Sequence, residues 1–180
     1  MIFVALLRGI NVGGKNKVDM KTLKGVFEDA GTTSVATYIN SGNVVFSSRA
    51  RSRTKLAARL EEAIAERFGF GIKVLVRNLD EIRAIVGTIE PEWANDPKTM
   101  KCDVMFLWDD VDTPAVVDDL TIKPSIDQVR YVAGAIIWQV DSDKLTRSGL
   151  MKLAGTPLYK RMTIRNCNTA RKLLELMEAA

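Results

Sequence analysis

The sequence predicts an α+β fold of two ferredoxin-like (split βαβ) subdomains with antiparallel sheets, on three observations. Over residues 1–87, short apolar runs and stretches of helical period alternate as strand, helix, strand, strand, helix, strand. Residues 88–100 then break the periodicity with Pro91, Pro97 and Asn95-Asp96. After them, strand, helix and hairpin patterns begin again in the same order, without a residue-level repeat. The expected organisation is a ferredoxin-like subdomain over 1–87 carrying a glycine-rich loop, a linker over 88–100, and a second α+β subdomain over 101–180 with a C-terminal helix.

Ile2 to Arg8 reads as a buried strand, being apolar almost without alternation. Asp19 is a natural N-cap for a helix carrying Met20, Leu23, Phe27 and Ala30 on one face, stopped by Gly31. Val35–Ile39 and Val44–Ser48 are β-rich runs flanking Asn40-Ser41-Gly42-Asn43, whose residues tolerate positive φ, so they form a hairpin. Leu56, Leu60, Ile64 and Phe68 define a second helix ending at Gly69 and Gly71. Ile72–Val76 supplies the fourth strand, and Asn78 with Glu81 reads as a capping box for a short helix through Val86.

In the second half, Lys101–Trp108 reads as a strand, and Thr113 with Pro114 opens a helix through Leu120. Gln128–Ala133 and Ala135–Val140 form a hairpin around Gly134. A helix is expected over Lys144–Leu153 and irregular chain over 155–162. A final helix then places Ala170, Leu173, Leu174 and Met177 on one face.

Composition narrows the chemistry. Hydrophobic residues make up 47% and charged residues 27%, as in a globular chain. The opening IFVALL is too short to span a bilayer and no cleavage pattern follows it, so a cytoplasmic protein without a membrane partner is expected. Histidine is absent, which removes the Ser-His, Cys-His and most zinc chemistries; two cysteines make neither a disulfide framework nor a metal pair. No cofactor and no metal are expected. The net charge of +4 sums unlike segments: residues 1–55 carry nine basic against three acidic residues, and 80–119 carry three against eleven.

Topology locates a candidate site. In a split βαβ unit strands one and two run parallel, so the end of strand one and the turn between strands two and three share one sheet edge. That edge collects Arg8, Asn11, Gly13, Gly14, Lys15, Asn40, Ser41, Gly42 and Asn43 as candidate ligand-binding residues. Glycines let backbone N–H groups approach an anion, and lysine and arginine add charge. Turn geometry alone also accounts for Gly13, Gly14 and Gly42, and both readings stay open. Gly9 to Asn16 has the spacing of a P-loop, but Asn16 stands where the magnesium-binding hydroxyl belongs and the sheet is antiparallel, which excludes nucleotide hydrolysis of that kind. A second cluster, Thr163 to Thr169, offers Arg165 and Asn166 near a helix start as further candidate ligands. Capping alone explains its asparagines. Cys167 beside Arg165 has the setting of a lowered thiol pKa, although a lone cysteine is more often an inert small side chain.

Arg8-Gly-Ile-Asn-Val-Gly-Gly14, Tyr38-Ile-Asn-Ser-Gly-Asn-Val-Val-Phe46 and the Thr163–Thr169 segment together resemble the domain of unknown function 1697 family over nearly the whole chain. The resemblance implies two ferredoxin-like α+β subdomains and assigns no reaction or ligand. It also implies a departure, because position 167 is typically tryptophan in that family and is cysteine here.

Three functions are compatible with these residues, in descending order. The first is a binding module for a phosphate-bearing small molecule. A nucleic-acid backbone ranks behind it, because strands one and three are apolar on both faces and offer no stacking surface. The second is a histidine-free, metal-free enzyme, with Arg8 or Lys15 stabilising negative charge and Asp19 or Tyr38 handling a proton. The third is a protein-interaction module using the acidic stretch Glu90–Asp119.

Overall fold

Ile2–Leu7 carries no polar side chain, and it forms the central strand β1 of a sheet in the computed structural model, which describes residues 1–180. Around it the chain adds α1 (Met20–Asp29), β2 (Thr33–Tyr38), β3 (Asn43–Ser47), α2 (Arg53–Phe68) and β4 (Val74–Asn78). The strand order is β2-β3-β1-β4 and every neighbour is antiparallel, the ferredoxin-like arrangement. Phe3, Ala5 and Leu7 pack with Val44, Phe46, Val74 and Val76 against Leu23, Val26 and Phe27 of α1 and Leu56, Leu60 and Ile64 of α2. Phe27 meets Phe46 edge-on, with ring centroids 5.3 Å apart. Both helices therefore cover one face of the sheet with the stripes their period marks out.

The N-terminus of α1 and the C-terminus of α2 follow the expected residues, and Ser52 adds a cap at the start of α2. Asp19 accepts the Thr22 N–H at 2.7 Å, and Ser52 accepts that of Lys55 at 3.3 Å. Gly69 closes α2 in the left-handed conformation with φ 77°. The fourth strand begins at Val74 instead of Ile72, and α3 (Leu79–Gly87) follows it directly.

The chain divides into two compact units: Met1–Asp80 with Leu173–Ala180, and Glu81–Lys172. The second holds β5 (Met100–Leu107), β6 (Asp127–Val132), β7 (Ala135–Asp141), β8 (Met162–Asn166) and the first six residues of α4 (Cys167–Glu178), whose remainder from Leu173 belongs to the first. Its sheet has the order β6-β7-β5-β8, again antiparallel throughout, and so repeats the strand order of the first. No helix is long and apolar enough to cross a membrane.

The connections of the second unit correct the sequence expectation. The helix expected from Pro114 is a 3-10 helix over Pro114–Asp119. The helix expected over Lys144–Leu153 is two 3-10 helices, Ser142–Arg147 and Gly149–Gly155, and a third over Pro157–Arg161 replaces part of the irregular stretch. The break at Ser148 has a physical cause. Ser148 is extended with ψ 147°, its Oγ accepts the Leu150 N–H, and its hydroxyl donates to Asp127. Asp127 also accepts from the Lys123 N–H at 2.8 Å, the Gly149 N–H at 3.0 Å and Trp138 Nε1 at 3.2 Å. A Cβ at Gly149 would fall 1.6 Å from the Thr121 carbonyl oxygen, so only glycine fits under this carboxylate. One buried anion thus ties β6, β7 and two loops together around Trp138, which is fully buried.

Residues 90–95 are tied to the start of α4 by side-chain hydrogen bonds. Asn168 Nδ2 donates to Asn95 O at 3.1 Å and its Oδ1 accepts the Asn95 N–H at 3.2 Å, while Arg171 donates to Trp93 O at 2.6 Å and Glu90 O at 3.0 Å. The Arg130 guanidinium lies 5.5 Å from the centroid of the Trp93 ring.

Burial pushes the Asp127 carboxyl up, but hydrogen bonds from Ser148, Lys123, Gly149 and Trp138 outweigh it and hold it below its ordinary value of 3.8. Its stabilising contribution is complete above that value and is lost as pH falls through the folded pKa beneath it. Asp127→Asn should cost about 3 kcal/mol at neutral pH, since an amide presents a donor to groups that already donate. Denaturant unfolding at pH 7 and pH 3 checks this, with the difference between wild type and variant shrinking at the lower pH.

Candidate functional site

The edge holding the two turns is built by the last rung of the β1–β3 ladder. Leu6 pairs with Asn43, the Leu7 N–H donates to Gly42 O at 2.8 Å, and the Arg8 N–H donates to Lys73 O at 3.0 Å. Residues 8–17 and 40–43 therefore leave the sheet side by side. Gly42 is buried there, and a Cβ on it would meet Leu7 Cβ at 2.7 Å and Ile10 Cδ1 at 2.8 Å. Its φ of 82° excludes a side chain a second time.

Asn11 joins the turns. Its Nδ2 donates to Asn40 O at 2.9 Å and to Val18 O at 3.0 Å, and its Oδ1 accepts the Val18 N–H at 2.9 Å. Inside the loop, the Asn11 N–H donates to Asn16 O, the Lys15 N–H to Val12 O, and Asn16 Nδ2 to Gly9 O. The backbone N–H groups of Gly13, Gly14, Asn16 and Lys17 make no hydrogen bond within the chain. Asn11, Asn16 and Ile39 all have positive φ, at 55°, 48° and 49°. For Ile39, a β-branched residue, that conformation is strained, and its side chain is 49% exposed.

Beside these turns lies an open cleft of about 620 Å3, lined by Asn11, Gly14, Lys17, Val18, Asp19, Met20, Asn40 and Phe68. Lys15 and Lys17 are exposed on its loop. Asp19 is held below the ordinary carboxylate range by the Thr22 N–H and then by the Thr22 hydroxyl, so it is an occupied helix cap and a poor base.

The expected site residues therefore part company. Asn11, Gly14 and Asn40 line the cleft, and Gly13 and Lys15 stand on its exposed loop. Asn43 is buried and donates to Tyr38 O at 3.0 Å and Ser41 Oγ at 2.9 Å, so Ser41, Gly42 and Asn43 shape the turn. Arg8 is half-buried where the loop leaves the sheet. Arg165 and Asn166 belong to β8 of the second unit. The Arg165 guanidinium is buried and donates to Thr163 Oγ1 at 3.0 Å and Ile164 O at 2.8 Å, and burial draws its pKa down to about 10. Asn166 is taken up as the cap of α4, accepting the Thr169 N–H at 2.8 Å.

Lys17, Met20 and Phe68 complete the cleft and were not foreseen as lining residues. For Phe68 the signal was present: it is the last residue of α2, and Gly69 turns the chain back toward this edge. The strained Ile39 has no sequence signal.

The two kinds of glycine separate by substitution. Gly42→Ala, which adds both a clash and a forbidden φ, should cost about 3 kcal/mol. Gly13 has φ 58° but nothing within 4 Å of its Cβ position, so Gly13→Ala should cost only about 1 kcal/mol. Urea unfolding midpoints of the two variants measure the difference.

The solved structure of the conserved bacterial protein SP0830 from Streptococcus pneumoniae matches with a TM-score of 0.82 at 29% sequence identity, covering 98% of this chain and 98% of that one. No curated protein matches the chain in sequence. The family described as "Protein of unknown function (DUF1697)" matches residues 1–138, which include β1, the glycine-rich loop and the 40–43 turn. With more than half of its length matched, the chain belongs to the DUF1697 family.

Proposed function

We propose that this protein is a binding module whose cleft beside the 8–17 loop and the 40–43 turn holds an anionic, phosphate-bearing small molecule. The observation that carries the reading is the set of unpaired backbone N–H groups at Gly13, Gly14, Asn16 and Lys17, on a loop that Asn11 pins to the second turn. Successive backbone N–H groups in a turn form an anion-binding concavity, and Gly13, Gly14 and Asn16 supply the positive φ of such a turn. Lys15 and Lys17 supply the charge, and the Asn40 amide supplies a neutral donor and acceptor at the cleft wall. Phe68 and Met20 add an apolar wall, which suits a ligand with an organic portion and favours a small molecule over a bare nucleic-acid backbone.

The competing readings have less support. The acidic stretch is largely occupied internally: Asp112 accepts from Tyr131 Oη and the Gly134 N–H, each at 2.9 Å, and Asp110 pairs with Arg161. For an enzyme, Asp19 is committed to its cap.

Thermal denaturation against inorganic phosphate, nucleotides, sugar phosphates and short oligonucleotides tests the reading. A specific ligand at 100 times its Kd adds about 2.7 kcal/mol, equivalent to a rise of about 5–10 °C in Tm. The Lys15→Ala/Lys17→Ala variant should lose most of that rise while keeping its unliganded Tm. The reading fails if no anion raises Tm, or if the variant responds as wild type does. Turnover of a stabilising ligand would reassign the cleft to catalysis.

A further inference from the structure

Cys102 and Cys167 are the two cysteines of the chain, and the fold of the second unit brings them together. Asp103 pairs with Asn166 at the end of the β5–β8 ladder, so Cys102 on β5 and Cys167 at the start of α4 are the residues immediately beyond its last pair. Successive side chains alternate along a strand, which turns the Cys102 thiol to the face opposite Asp103, where it meets the Cys167 side chain. They share a hydrogen bond, and both residues are fully buried. Cys167 is the first residue of α4, and Arg171, one turn on, places Nη1 4.0 Å from its sulfur. The Cys167 thiol also reaches the Trp93 carbonyl at 3.7 Å.

We propose that this pair is a modification site: hydrogen peroxide converts the two thiols to an intrachain Cys102–Cys167 disulfide. The roles differ between the two. The hydrogen bond with Cys102 and the Arg171 charge hold the Cys167 thiol below its ordinary value against the effect of burial, while the same hydrogen bond and burial push Cys102 up. Cys167, at the N-terminus of α4 with Arg171 Nη1 4.0 Å from its sulfur, is therefore the nucleophile. Its thiolate attacks one peroxide oxygen; the S–O bond forms, the O–O bond breaks, and the departing hydroxide takes up the thiol's proton as water. Cys102 sulfur then attacks Cys167 Sγ of the sulfenic acid, the S–S bond forms, the S–O bond breaks, and the hydroxide leaves with the Cys102 proton as a second water. Two thiols are oxidised and one peroxide is reduced. Peroxide is small and uncharged, as entry to a buried pair requires.

The test is graded peroxide treatment of the full chain, followed by denaturation, alkylation with N-ethylmaleimide, and mass spectrometry of the intact protein and its non-reduced peptides. Both thiols should lose reactivity together, a Cys102–Cys167 peptide should appear, and dithiothreitol should restore two alkylatable thiols. In Cys102→Ser the sulfenic acid at Cys167 should persist and react with dimedone, whereas in Cys167→Ser Cys102 should stay alkylatable. Peptide mapping of the wild type decides alone if either variant fails to fold. The inference is overturned if both thiols survive peroxide that already oxidises methionines. It is equally overturned if the product is an intermolecular dimer, or sulfinic acid at Cys167 with Cys102 still free.

Discussion

The hydrogen bond from the Leu7 N–H to the Gly42 carbonyl, at 2.8 Å, closes the β1–β3 ladder, and the geometry of the candidate site depends on it. It forms only because residue 42 lacks a side chain, since Leu7 Cβ and Ile10 Cδ1 already occupy the space a Cβ would need. Once it is made, the chain leaving β1 and the chain entering β3 are neighbours. The Asn11 amide can then satisfy three backbone groups across both turns. Antiparallel pairing thereby turns residues 29 positions apart in sequence into one rim around a cleft.

The rim concentrates backbone conformations that cost free energy. Asn11, Gly13, Gly14 and Asn16 all lie at positive φ within six residues, and Ile39 does so in the opposing turn. Asparagine tolerates that region through local hydrogen bonds, and the Asn11 and Asn16 side chains make them. Ile39 has no such compensation. Strain of this kind persists where surrounding contacts over-determine it, which the pinned loop and the packed Gly42 provide. The second unit repeats the strand order without such a rim. Its sheet is covered through 3-10 segments carrying Val116, Leu153 and Leu158, organised around the hydrogen-bonded Asp127 carboxylate.

What was legible in the sequence is what local chemistry determines. Asp19, Gly31, Ser41-Gly42 and Gly69 announce their caps and turns by residue type, and the stripes of α1 and α2 announce the core face. From strand order alone, the adjacency of the two turns followed. The second unit was harder because its signals are polar. Asn166 reads as a helix cap and serves as one, but Thr163 and Arg165, which read as lying on the approach to that helix, sit on β8, where Arg165 is buried and bonded to Thr163. Ser148 and Gly149 break a helical pattern for the sake of Asp127, more than 20 residues away in sequence. No local pattern encodes that distance. Nor does one reveal that Cys102 and Cys167 stand together just beyond the last pair of that sheet, which requires the β5–β8 register.

The proposed role of the 8–17 loop is to receive an anion on its backbone amides. Backbone amide chemical shifts during titration with inorganic phosphate, and then with whichever phosphate-bearing compound binds most tightly, report on it residue by residue. Saturable shifts concentrated at Gly13, Gly14, Asn16 and Lys17 are expected, with smaller ones at Asn40 and Phe68. Shifts spread evenly over basic surface residues, or absent from the loop at saturation, would contradict it.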